Sequence, residues 1–269
     1  MIYVKGSGWM CNNILQYAHF YAWGREHGRE TMSMRFAHKF QHFHICDTPH
    51  HNFWRYVVGK YAAAWGLIPT LEFREAGADT ARQEQEMLRH KHIAVVGWEA
   101  RWYDLFLKYK QEILQLFAFK KSVAKACEKI LAETPQGSCR LGVHVRRGDY
   151  ATWYGGRYFY SDEQFVSLIR QFLVLHPEAV VYICGNDPSL NKDLYRKALA
   201  DTRVVFPEGN AAEDLYVLSE CDYLIGPPST FSLTASMYHD TPLYWIKDAG
   251  VPLTDASFGH FDDLFRKIL

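Results

Sequence analysis

The sequence predicts an α/β protein built on doubly wound parallel sheets, and three observations carry that prediction. Apolar segments of strand length alternate with helix-period segments through the second half. Runs such as Ala179–Cys184 are apolar throughout, as in strands covered on both faces. The stretch Leu141–Tyr150 ends an alternating strand with charged side chains in a glycine turn, where open α/β sheets bind ligands.

A chain of 269 residues divides naturally into two domains, and Thr134-Pro135-Gln136-Gly137-Ser138 is the best boundary. The expected domains are 1–136 and 137–269. Lys+Arg and Asp+Glu are both 30, so no overall field draws nucleic acid, and any anion site must be local. Met1–Lys5 reads as a strand and not as a secretion signal, and no run of 18 apolar residues is present. The expectation is a soluble, cytoplasmic protein, with peripheral contact at the membrane's inner face left open. Six cysteines without a C-x-x-C pair fit reduced, structural thiols.

The first half opens with the Ile2–Val4 strand, the turn Gly6-Ser7-Gly8, and a helix presenting Ile14, Leu15, Ala18, Tyr21 and Ala22 on one side. Its spacing is not the full dinucleotide fingerprint. Residues 30–35 form a candidate strand. His38, His42, His44, His50 and His51 then crowd together, but their spacings match no regular zinc pattern, and Phe36, Phe40, Phe43, Phe53 and Trp54 interleave as packing residues. No metal is expected. The polar stretch 72–89 is read as surface loop and short helix, broken at Ala76-Gly77-Ala78-Asp79. A strand over 92–96 ends at Gly97-Trp98-Glu99, and an aromatic helix from Trp102 to Phe117 follows. Glu99, just past a strand end, is a candidate to act on a substrate hydroxyl.

The second half follows a helix over 122–133. Past the strand Leu141–Val145, Arg146, Arg147 and Asp149 enter the turn, where guanidinium forks can grip a phosphate bidentately. Trp153-Tyr154-Gly155-Gly156 with Tyr158, Phe159 and Tyr160 forms an aromatic loop suited to stacking on a sugar or base. Ser161-Asp162-Glu163 caps the next helix. Strands at 179–184, 203–206, 223–225 and 243–246 alternate with helices at 190–199, 212–219 and up to Tyr238. In Gly226-Pro227-Pro228-Ser229-Thr230-Phe231-Ser232, Ser229 reads as an N-cap whose helix start also suits a phosphate. Asp214, near another helix start, can accept hydrogen bonds from a guanine or ribose.

Together these segments resemble the family 11 glycosyltransferases, the α-1,2-fucosyltransferases, and more distantly the α-1,6- and protein O-fucosyltransferases. The run His144-Val145-Arg146-Arg147-Gly148-Asp149-Tyr150 matches that family's His-x-Arg-Arg-x-Asp motif in full. Asn12-Asn13-Ile14-Leu15-Gln16-Tyr17-Ala18, Gly97-Trp98-Glu99, and Asp214 through Phe231 look like three further family segments in the same order. Trp9 and Cys11 stand where the family has glycines, and Gly226-Pro227-Pro228 and Leu233-Thr234 depart from its Asn-Ser-Ser-Phe-Ser-Trp-Trp run, which bears on acceptor and linkage.

The resemblance implies a GT-B fold of two Rossmann-like domains facing a cleft. It implies GDP-fucose held by the C-terminal domain, a glycan acceptor reached from the N-terminal one, and inversion without a metal or other cofactor. It maps Arg146 to the main diphosphate clamp. His144, Arg147, Asp149, Asp214, Ser229, Thr230 and Phe231 map to donor binding, with Asn12 in the first segment. Arg146, Arg147 and Asp149 are the catalytic candidates. Glu99 and Tyr154 are acceptor or base candidates, and Asp149 or an N-domain histidine is equally open as the base. A catalytically degenerate glycan- or nucleotide-binding module, or a transferase with another nucleotide sugar, is the competing reading.

Overall fold

The computed structural model describes residues 1–75, 79–185 and 187–268. The expected break at Ala76-Gly77-Ala78, and Asn186 of the turn after the 179–184 strand, lie outside them. Two compact units divide at Lys120/Lys121, ahead of the cut expected after Gln136. The reason is the helix Lys121–Leu131, whose apolar stripe Val123, Cys127 and Leu131 is buried within the second unit.

The first unit runs β1 (Ile2–Lys5), α1 (Met10–Glu26), β2 (Thr31–Ser33), α2 (Phe36–Lys39), α3 (Phe53–Ala64), β3 (Thr70–Glu72), α4 (Ala81–Arg89), β4 (Ile93–Val96), α5 (Tyr103–Lys108) and α6 (Lys110–Leu116). Its four strands are all parallel, in the order β2-β1-β4-β3. The expected aromatic helix is two helices meeting at Tyr109, with Phe106, Ile113 and Phe117 still buried. Phe36, Phe40 and Phe43 pack inside as expected. Phe53 and Trp54 do not: they lie on α3, a helix absent from the sequence reading, and face outward.

The histidines of this unit do not converge. His51 accepts from the Ser33 N–H (3.0 Å) and contacts the Thr48 hydroxyl, whereas His50 contacts Arg55. Among the described residues, no group of three or more His, Cys, Asp or Glu is placed to hold a metal ion.

The second unit runs α7 (Lys121–Leu131), β5 (Arg140–Val145), α8 (Asp162–Leu175), β6 (Val180–Gly185), α9 (Lys192–Ala198), β7 (Val204–Val205), α10 (Ala211–Ser219), β8 (Tyr223–Gly226), α11 (Thr230–His239), β9 (Leu243–Trp245) and α12 (Phe261–Phe265). The sheet order is β7-β6-β5-β8-β9, again wholly parallel. The order is that of a doubly wound sheet: the chain winds outward from β5 through β6 to β7, then returns to the other side of β5 as β8. The two faces of β5 follow the period of two. Leu141, Val143 and Val145 enter one cluster with Phe165, Leu168, Ile169 and Phe172 of α8. Gly142 and His144 face the other way, where Gly142 lies against Leu218, Cys221 and Leu224. Among the described residues, no helix is long and apolar enough to cross a membrane.

Candidate functional site

Where a doubly wound sheet reverses direction, the loops leaving two adjacent strands part and open a crevice. In the second unit that point lies between β5 and β8. The loop after β5 carries Arg146 to Tyr150, and the loop after β8 carries Pro227 to Thr230, so both expected motifs reach one edge. Tyr150 fastens them together, its buried hydroxyl donating to the Pro228 carbonyl at 2.6 Å. Burial first of all pushes that phenol up to about 12, so it remains a donor at neutral pH.

Arg146 is largely buried on this side. Its Nη2 lies 2.6 Å from Asp149, and its guanidinium sits 5.5 Å from the centre of the Tyr150 ring. Ser229 caps α11 as expected, its hydroxyl accepting from the Phe231 N–H at 3.2 Å. The ten-residue helix behind it aims its dipole and its first backbone N–H groups outward from the same edge. His144 stacks on Phe231 with ring centres 4.8 Å apart. Burial, with Arg146 adding to it, lowers the His144 imidazole to about 3. It is therefore neutral, and its buried Nδ1 has no hydrogen-bond partner within the protein.

Asp214 lies on α10, on the face of the sheet that also carries His144. Cys184, the β6 residue in register with His144, has its thiol 3.9 Å from the Asp214 carbonyl. Burial and then Glu213 raise the Asp214 carboxyl to about 7, and its Oδ1 is buried without a protein partner. Two unsatisfied polar atoms, one on a neutral imidazole and one on an easily protonated carboxyl, thus lie on one face of the sheet.

Arg147 corrects the expectation of a two-arginine clamp. Successive residues leaving a strand face opposite ways, and Arg147 turns away from Arg146 into the layer under α8. Its Nη2 lies 2.6 Å from Asp162, its Nε donates to the Tyr160 carbonyl at 3.1 Å, and Asp187 is 3.7 Å away. Tyr195 donates to the same Asp162 oxygen at 2.9 Å. Both charges are buried and paired with each other, so Arg147 anchors the turn beneath α8. Asp162, read from the sequence as a cap residue, is the partner that was missed. Tyr154 stands at the exposed tip of the aromatic loop, with left-handed backbone (φ 47°, ψ 38°) and its ring edge-on to Trp153.

In the first unit the same logic applies to β1 and β4, the adjacent strands at which that sheet reverses. Asn12 follows β1 and Glu99 follows β4, so they share the carboxyl edge of that unit. Trp9 provides no side-chain cap for α1. Asn13 instead ties down the preceding turn: its amide nitrogen donates toward the carbonyls of Ser7, Gly8 and Trp9 at 3.0, 3.0 and 2.8 Å. The second asparagine of the pair therefore shapes the glycine turn, which the sequence reading did not single out.

No family model matches the chain. Among curated proteins it is similar to galactoside alpha-(1,2)-fucosyltransferase 2 of Gorilla gorilla gorilla, 24% identical over 172 residues, covering 59% of this chain and 48% of that protein. The Mus musculus protein of the same name is 25% identical over 169 residues, covering 56% and 47%. The chain spans about half the length of the curated relatives it matches. Among solved structures, an Arabidopsis thaliana FUT1 variant in complex with GDP superposes with a TM-score of 0.62 at 11% identity, covering 96% of this chain and 73% of that one. NodZ alpha-1,6-fucosyltransferase soaked with GDP-fucose gives 0.58 at 14% identity, covering 96% and 97%. POFUT1 in complex with GDP-fucose gives 0.57 at 10% identity, covering 89% and 93%. The chain has the GT-B-type α/β fold of these proteins, and over more than half of its length its sequence is similar to that of fucosyltransferases.

Proposed function

We propose, from this relationship, that the protein transfers L-fucose from GDP-fucose to a hydroxyl of a glycan acceptor, in an α-1,2 linkage, with inversion and without a metal. The observation that carries the reading is the meeting of Arg146 with the Ser229-capped start of α11 at one reversal point, held by the Tyr150–Pro228 hydrogen bond. Cleavage of the sugar C1–O bond leaves an electron pair on a β-phosphate oxygen. A guanidinium and backbone N–H groups fixed in advance stabilise that charge where other transferases use a divalent cation. Asp149 is read as the partner that orients Arg146. His144, Asp214, Thr230 and Phe231 are read as contacts to the nucleotide, with the unpaired Nδ1 and Oδ1 as hydrogen-bonding groups toward it.

The acceptor oxygen attacks C1 from the opposite face and loses its proton to a base. Glu99, Tyr154, Asp149 and the first unit's histidines are the candidates, and Asn12 is assigned to donor binding. The six free cysteines support a reducing, cytoplasmic setting. The test is donor turnover with the lactose-type acceptors of α-1,2 transfer. Fucosylated product formed in the presence of EDTA is expected, and a thermal shift with UDP-sugars but not with GDP would overturn the donor assignment.

A further inference from the structure

We infer that α3 is a membrane-contact helix whose outer face rests on an anionic lipid surface. Gly59 sets its inner face, lying against the Tyr3 ring, and Tyr56 packs edge-on to Phe36. At 100° per residue, Trp54, Val58, Tyr61 and Trp65 then fall on one stripe pointing away from that contact. Soluble surfaces scatter single apolar residues, whereas here they are contiguous. Trp54 is 75% exposed, Trp65 71%, and Leu67, in the segment just past the helix, 72%. Phe53 lies beside Trp54, ring centres 5.7 Å apart, and widens the surface.

Two features select lipid as the occupant. Tryptophan and tyrosine rings with a polar edge are the side chains that settle at the boundary of headgroups and acyl chains. The charge of the segment agrees. From Thr48 to Leu71 the chain contains Arg55 and Lys60 and no aspartate or glutamate. Lys60 lies over the Tyr56 and Tyr61 rings at 5.7 and 5.9 Å, whereas Arg55 is ion-paired with Glu30 at 3.7 Å and contacts His50. A basic, aromatic helix lying in the plane of the interface matches an anionic leaflet.

The test is flotation of the whole protein with vesicles of phosphatidylcholine alone and of phosphatidylcholine mixed with phosphatidylglycerol. Wild type is expected to float with the mixed vesicles and to be released by salt. A Trp54→Ser, Trp65→Ser double variant is expected to keep its melting temperature while partitioning about tenfold more weakly or worse. Lys60→Glu is expected to weaken binding to the mixed vesicles only. The inference is overturned if wild type stays in solution at low salt, if it binds both vesicle types equally, or if the double variant floats as well as wild type. It is also overturned if light scattering finds a dimer that the double variant converts to monomer.

Discussion

Asp214→Asn tests the buried carboxyl through the pH dependence of folding. The Asp214 carboxyl is raised from 3.8 to about 7, by burial first and then by Glu213. The folded protein therefore keeps a proton that the unfolded chain releases near pH 4. At lower pH both states are protonated and the cost of burying a carboxylate is absent. As pH rises from about 4 toward 7, only the unfolded chain ionises, and stability falls by about 1.4 kcal/mol per pH unit. Three units set a ceiling of about 4 kcal/mol, and partial access of water brings the expected effect to about 1–3 kcal/mol. His144 acts in the opposite sense. Its imidazole is lowered from 6.5 to about 3, so its contribution is complete above about pH 6.5 and is lost as pH falls toward 3. Wild type sums the two slopes, and the asparagine variant keeps only the second. Urea unfolding near pH 5 and pH 8 should show the variant gaining about 1–3 kcal/mol on wild type at the higher pH. An equal difference at both pH values would refute the assignment of a neutral, buried Asp214.

The other predictions concern the arginines, the thiols and one turn. Arg146→Ala should lower kcat by about a hundredfold or more and abolish the GDP-induced rise in Tm, while leaving the Tm of the free protein near wild type. Arg147→Ala should instead destabilise the fold by about 3–5 kcal/mol in urea, because it strands the Asp162 carboxylate in the interior. Burial raises the Cys184 and Cys221 thiols above their ordinary range, so a disulfide reagent should modify them only at the rate of unfolding, measured by absorbance with and without urea. Gly97 has φ 132°, and a Cβ there would collide with the Phe73 backbone. Gly97→Ala should cost a few kcal/mol, seen as a drop in Tm without loss of the far-UV signal.

The second unit was legible because its strands are buried on both faces and its crossovers are short. The pattern of apolar runs located β5, β6 and β8 to within a residue or two, and Ser229 was visible as a cap. The first unit was harder to read. Its strands are three or four residues long, and α3 turns apolar side chains outward, so its pattern imitates a core segment. Arg146 and Arg147 are adjacent in sequence and chemically alike. Only the alternation of the backbone and two distant partners, Asp162 and Asp187, separates Arg146 at the crevice from Arg147 in the interior. Nothing local in the sequence marks that pairing. The unpaired atoms of His144 and Asp214 likewise depend on what encloses them.

The pairing of β5 with β8 has a consequence for synthesis. The first half of the anion cradle leaves the ribosome with Arg146, but its other half emerges only after α8, β6, α9, β7 and α10 have been made. Such long-range parallel pairing forms late and exposes nascent hydrophobic surface meanwhile. On the proposed function, nucleotide affinity appears only when β8 docks beside β5.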